Sequence, residues 1–257
     1  MVKIENLRKE FKRSRKQMIA DNSDERVKKA VDGISFEARP GEIFGLLGPN
    51  GAGKTTTLRC ISTLLKPTDG SVFVGGRSTE KEAMEVRKRM AFLTNELKLD
   101  VHFTPEFTME FFGQLHGMSE GDIHTRREQL FKVFDITKFR HVKIGELSTG
   151  MKQKLSIAVS LIHDPEVVVF DEPTNGLDII TAKTVTNYLE YLRDQGKTVI
   201  LSTHIMTVSE KLCDRIGVLI DGRLRTVGNR SEILAETGTG DLEDAFFKLY
   251  KEVYDEE

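Results

Sequence analysis

Hydrophobic positions along this chain follow two periods, and the switch between them divides it. Near the N-terminus the pattern alternates. Residues 2–6 (VKIEN) and 30–38 (AVDGISFEA) read as half-buried strands. Ile43-Phe44-Gly45-Leu46-Leu47 is an apolar run of strand type, entered through a Pro40-Gly41 turn. Residues 56–65 carry no proline and predict a helix. Short strands are expected at 71–74, ended by Gly75-Gly76, and at 90–94. Between them lies a charged helix over 78–90, capped by Ser78 or Thr79. From 105 to 161 the period becomes helical. Phe107, Phe111, Phe112 and Leu115 form one set, Ile123, Leu130, Phe131 and Phe134 a second, and Leu155, Ala158, Val159 and Ile162 a third. All three are expected to face a helical core.

Strand signals return at 167–170 and 198–201, with Val185, Tyr188, Leu189 and Leu192 marking a helix between them. That order predicts a parallel strand–helix–strand unit. Residues 215–220 and 223–227 predict a hairpin across Asp221-Gly222. Leu242, Ala245, Phe246, Leu249, Tyr250 and Val253 share one face of a last helix, which packs on the core or receives a partner.

Composition removes several classes of function. The chain has 257 residues and a net charge of −2, so no overall basic field points to nucleic acid. The aromatics of the helical stretch are not interleaved with basic residues, which favours core over base stacking. There is no apolar run of about 18 residues and no N-terminal signal-type apolar region. Cys60 and Cys213 make no disulfide framework and read as small buried apolar residues in a reducing, cytoplasmic setting. Residues 12–28 are rich in charge and predict a solvated loop or hairpin extension.

The chemistry begins at residues 48–55. GPNGAGKT fits the G-x-x-x-x-G-K-[ST] phosphate-binding loop, between a strand and a helix as that motif requires. Glycines let backbone N–H groups wrap phosphate oxygens, and the helix start adds its positive end. Lys54 can reach the β- and γ-phosphates, and the Thr55 hydroxyl can hold Mg²⁺. A second motif, VVVFDE at 167–172, ends an apolar strand in two acids. Neighbours on a strand point to opposite sides, so Asp171 and Glu172 take different tasks. In a phosphate-loop protein the first holds Mg²⁺ and the second is placed to take a proton from an attacking water. A third motif, Leu147-Ser148-Thr149-Gly150-Met151, precedes a helix for which Ser148 is a good N-cap.

In this order the motifs resemble those of the ABC-type ATPases, whose signature reads L-S-G-G-Q. The P-T-N-G-L-D run at 173–178 resembles the family's D-loop, ending at Asp178. His204 in L-S-T-H matches its switch histidine, and Phe11 falls where the family stacks an aromatic on adenine. The resemblance covers residues 1–235. It implies an α/β fold: a RecA-like P-loop NTPase core with an antiparallel β subdomain and an inserted α-helical subdomain. The core would be residues 1–95 and 164–257, the helical subdomain 96–163. Asn50, Gly51, Ala52, Gly53, Lys54, Thr55 and Thr56 would bind ATP, with Thr55, Asp171 and Asn95 on Mg²⁺. Glu172, His204 and Asn95 would be catalytic. Ser148, Gly150 and Asp178 would act on ATP held by a second, head-to-tail subunit.

Three departures stand out. Thr149 and Met151 replace Gly and Gln, and S-T-G-M resembles the sodium-extrusion (Nat-type) exporter ATPases. Asn95 stands where the family has glutamine, one methylene shorter, with Glu96 available by a register shift. The charged 12–28 segment lengthens the path from Phe11 to the phosphate loop. The resemblance implies the ATPase subunit of an exporter, peripheral on the cytoplasmic face of the cell membrane. Its partners would be a second ATP-binding subunit and a separate multispanning permease. Sodium is the leading cargo. Another cargo such as drugs or lipids, or a soluble ABC ATPase not tied to transport, is the alternative. A nucleotide kinase would account for the phosphate loop but not for L-S-T-G-M or L-S-T-H.

Overall fold

The computed structural model describes residues 1–20, 25–94 and 99–254. In chain order its elements begin with β1 (Val2–Lys12), α1 (Arg15–Ala20), β2 (Val27–Ala38), β3 (Glu42–Leu47) and α2 (Lys54–Ile61). Next come β4 (Asp69–Val74), β5 (Arg77–Ser78), α3 (Ala83–Arg89) and β6 (Met90–Leu93). The helical stretch holds α4 (Pro105–Leu115), α5 (Glu120–Val133) and α6 (Thr149–Ser160). The rest is β7 (Val167–Asp171), α7 (Ile179–Asp194), β8 (Thr198–Thr203), α8 (Met206–Leu212), β9 (Arg215–Ile220), β10 (Arg223–Gly228), α9 (Arg230–Thr237) and α10 (Leu242–Tyr254).

The strands form two sheets. One is antiparallel in the order β2-β1-β4-β5. The other runs β10-β9-β3-β8-β7-β6 and is parallel except for β10. β3 and β8 are buried along their whole length, because helices or the other sheet cover both faces. That is why they read as apolar runs and not as alternation. Leu58, Cys60 and Ile61 of α2 pack with Val2, Ile4 and Phe36 of one sheet and with Phe44, Val167 and Val169 of the other. Phe36 and Phe44 stack face to face, ring centres 4.6 Å apart. On the far side of the parallel sheet, Val168 and Val199 pack with Leu189 of α7 and with Leu130, Phe131 and Leu155 of α5 and α6. A third cluster seats Ala245, Phe246 and Leu249 of α10 against Ile216 and Val218 of β9.

Most predicted elements appear where expected. Residues 12–28 take the hairpin-extension form of the two expected: the β1–β2 ladder continues to Lys12 opposite Val27, and α1 follows Lys12. The phosphate-loop helix ends at Ile61, short of residue 65, where Thr63 takes a left-handed φ of 63°. The 78–90 helix starts only at Ala83. Ser78 belongs to β5, and neither Ser78 nor Thr79 caps the helix. The Glu82 carboxylate accepts from Ser78 N and from Arg77, which holds the preceding turn.

A further difference is on α4, where only Phe112 of the expected set packs against the helical core. Phe107, Phe111 and Leu115 are 47%, 46% and 69% exposed, while Thr108, Met109 and Gly113 turn inward. Close approach decides this: a Cβ on Gly113 would sit 2.6 Å from the Ile123 side chain of α5. Only the small-residue face can come that near, so the larger aromatic stripe is left outside.

Phe131 is fully buried and Phe111 is exposed on the same layer of helices. Phe131→Ala should therefore cost about 3–5 kcal/mol in urea unfolding, and Phe111→Ala less than about 0.5 kcal/mol. Equal losses would put both rings in one core.

Candidate nucleotide-binding site

The phosphate loop leaves β3 at Leu47 and becomes α2 at Lys54. Two of its glycines are required by neighbours. A Cβ on Gly48 would lie 2.2 Å from Leu219 O, and one on Gly53, whose φ is +104°, 2.3 Å from Ala30 O. Ala52 turns its methyl inward, and its carbonyl accepts from Gly222 N at 3.0 Å. Lys54 is 6% exposed, and its Nζ donates to Gly48 O at 2.7 Å and Pro49 O at 3.0 Å. Burial lowers its pKa, against the pull of Glu172 and Asp171. An ammonium has three donors, so one is left for a ligand. An anion bound here would supply the counter-charge that the buried ammonium lacks.

The two acids at the end of β7 take different partners, but not by strand alternation: β7 ends at Asp171, and Glu172 lies past it in left-handed geometry. Ser202 on the neighbouring β8 serves both: its Oγ donates to Asp171 Oδ1 at 2.5 Å and accepts from Glu172 N at 3.1 Å. Glu172 has a left-handed φ of 55°, a conformation costing a non-glycine residue roughly 1–3 kcal/mol. Its carboxylate is held from two sides, by His204 Nδ1 at 3.0 Å from Oε1 and by Asn175 Nδ2 donating to Oε2 at 3.1 Å. Sequence reading missed Ser202 and Asn175. Both lie inside motifs it quoted, but their partners are fixed only by the pairing of β7 with β8 and by the turn after Glu172.

Lys54 and Glu172 open onto one cleft of about 260 Å³. Its walls are Phe11, Lys28 and Ala30 of the hairpin, then Asn50, Gly51, Gly53, Lys54, Thr55, Thr56 and Glu172. The charged segment does not displace Phe11, because the hairpin loops it out beyond Lys12 and returns it at Val27. Lys28 and Ala30 were not among the sequence candidates. Asp171 lines an adjoining pocket with Leu93, Thr94 and Pro173. Asn95 and Glu96 lie outside the described residues. Leu93 pairs with Phe170, so the chain leaves β6 beside Asp171.

Ser148, Gly150 and Asp178 gather elsewhere. Ser148 caps α6, its Oγ accepting from Met151 N at 3.3 Å. Asp178 caps α7, its Oδ1 accepting from Ile180 N and Thr181 N, both at 3.0 Å. Hydrogen bonds from Thr181 hold its carboxyl below the usual range. A Cβ on Gly150 would lie 3.8 Å from Asp178 Oδ2, so the starts of the two helices are neighbours. None of the three lines the Lys54 cleft.

Residues 31–175, more than half of the chain, match the family described as ABC transporter. The chain belongs to the ABC transporter family. It is similar to the ABC transporter ATP-binding protein NatA of Bacillus subtilis (strain 168), 37% identical over 222 residues, 86% of this chain and 90% of that protein. It is also similar to the daunorubicin resistance ATP-binding protein DrrA3 of Streptomyces coeruleorubidus, 38% identical over 221 residues, 86% and 70% of the two chains. Among solved structures, the ATP-binding cassette MJ0796, a dimer bound to ADP and Pi, superposes with a TM-score of 0.76 at 26% identity. That match covers 89% of this chain and 98% of the other. The fold is that of an ABC ATPase, and the chain is an ATPase subunit of this family resembling the Nat type.

Ser202→Ala removes the one hydroxyl joining Asp171 to the Glu172 backbone while leaving the core filled. Steady-state ATP hydrolysis should fall by about 10- to 100-fold, as for other partners that orient acidic ligands. Unchanged turnover would mean that Asp171 needs no such support.

Proposed function

We propose that this chain couples ATP hydrolysis to export through a separate multispanning permease, as one half of a head-to-tail ATPase pair. One observation carries the proposal: the Lys54 cleft and the Ser148–Gly150–Asp178 patch stand apart in one chain. Each is half of a site. A second copy turned head to tail brings its patch over the open cleft.

In that site the Phe11 ring stacks on adenine. Asn50, Gly51, Gly53, Thr55 and Thr56 offer backbone N–H groups to the phosphates, along with Ala52 N, and Lys54 turns its free donor to them. Thr55 and Asp171 present hydroxyl and carboxylate oxygens, the donors that suit Mg²⁺, with Asn95 proposed to add its amide. Mg²⁺ held there would neutralise charge on the phosphate oxygens. Glu172, steadied by His204 and Asn175, takes the proton of a water whose oxygen attacks the γ-phosphorus. The bond from that phosphorus to the β–γ bridging oxygen breaks, and ADP leaves with the bridging oxygen. Ser148 and Gly150 of the opposite chain close over the γ-phosphate, and its loss reopens the pair.

No helix among the described residues is long and apolar enough to cross a membrane. The export reading therefore places the chain on the cytoplasmic face of the cell membrane, bound to its permease. The exposed Phe103, Phe107, Phe111 and Leu115 supply an apolar surface on the helical stretch for that contact. Sodium is the proposed cargo, on the S-T-G-M signature, Asn95 in the glutamine position and the likeness to NatA. The likeness to a daunorubicin resistance protein supports a drug as the alternative cargo.

Glu172→Gln should keep ATP affinity within about twofold, lower turnover by about 100-fold or more, and elute as an ATP-dependent dimer in gel filtration. A variant that stays monomeric with ATP while the wild type dimerises would refute the paired mechanism. Tagged protein recovered gently from native membranes should bring a stoichiometric multispanning protein. Phe107→Glu with Phe111→Glu should release that protein and leave ATP binding intact. Recovery only with ribosomes or nucleic acid would replace the transport reading.

A further inference from the structure

The ATP reading leaves one charged wall of the cleft without a task. Phe11 and Lys28 are cross-strand partners in the β1–β2 ladder. Directly opposed residues point to the same side of an antiparallel pair, with Cβ atoms about 4.5–5.5 Å apart. The two side chains thus stand together, and both line the cleft that Thr55 and Thr56 close from the other side.

Two basic side chains near this hairpin are engaged elsewhere. Lys9 donates to Lys66 O at 2.8 Å, and Arg223 holds Asp32 at 2.7 Å. The Lys28 side chain is exposed and makes no hydrogen bond or ion pair among the described residues. Inside the cleft the charged side chains are Lys28, Lys54 and Glu172. A nucleoside triphosphate brings three to four negative charges, more than Lys54 alone offsets beside a carboxylate. Lys54 sits at the turn into α2, at the phosphate end. Lys28 sits at the ring end.

We propose that Lys28 is a nucleotide-binding residue whose ammonium pairs with the α-phosphate, next to the base stacked on Phe11. This rests on the reading of the cleft as an ATP site. It also gives the long hairpin a use: the ladder carries the chain out past Phe11 and brings it back with a cation beside the ring. The α-phosphate is common to ATP and ADP, so Lys28 serves both nucleotides alike, whereas Lys54 favours the triphosphate. Its solvent exposure makes the contribution sensitive to salt.

The test is calorimetric titration of the full chain with ATP and with ADP. Variants are Lys28→Ala, Lys28→Arg and Lys54→Ala, each at low salt and at about 0.5 M salt. Lys28→Ala should weaken ATP and ADP equally, by about five- to tenfold at low salt and by less than about twofold at high salt. Lys28→Arg should restore most of the affinity. Wild-type binding that Lys54→Ala abolishes and Lys28→Ala leaves unchanged would overturn this assignment and keep the ATP reading. A Lys28→Ala loss confined to ATP would also overturn it. A wild type that binds neither nucleotide would overturn both.

Discussion

A lysine ammonium buried among backbone carbonyls is the constraint on which the rest of this structure depends. Lys54 has given up most of its water, and the loop carbonyls only partly replace it. The loop must therefore keep its curvature, and its neighbours enforce that curvature. Ala30 of β2 and Leu219 of β9 come so close that only glycine fits at residues 53 and 48. The same contacts tie together three distant parts of the chain. Asp32 N donates to Gly222 O and Gly222 N to Ala52 O, so the hairpin, the phosphate loop and the β9–β10 turn move as one body. The wall carrying Phe11 and Lys28 is thereby fixed relative to the phosphates.

The acidic side of the cleft is built on a different principle. β7 and β8 are adjacent parallel strands, which brings Ser202 beside Asp171 and the Glu172 backbone. The left-handed turn at Glu172 costs conformational energy, and bonds from Ser202, His204 and Asn175 offset it. The Glu172 carboxylate, held on both oxygens, is fixed in the place where the proposed reaction needs it.

On the proposed pairing, the helices between β6 and β7 would join the two half-sites. α6 starts at the Ser148 cap and packs Leu155 and Ala158 into the core beneath the parallel sheet. Its start neighbours Asp178, the cap of α7, which leads back to the sheet. α4 keeps its small-residue face for α5 and turns aromatics outward, so this layer has a second, uncovered apolar face. On the proposed pairing, a packed layer of this kind would transmit a push on its outer face to the Ser148–Gly150–Asp178 patch.

Sequence alone was enough wherever the information is local. The role of the signature came from the family resemblance, while the phosphate loop, the acidic strand end and the strand–helix–strand order are runs of a few residues readable from their spacing. The Asp221-Gly222 turn, with both residues left-handed, is of the same kind. Where periodicity was ambiguous, tertiary contact decided. α4 has two apolar faces, and only the approach of Ile123 to Gly113 selects the buried one. The partners of Glu172 and Asp171 come from strand neighbours some thirty positions away, and Lys28 enters the cleft only because the ladder register sets it opposite Phe11. Period and motif report what a segment can bury or bind. Which side it buries, and what meets it there, depends on the close approach of segments far apart in the chain.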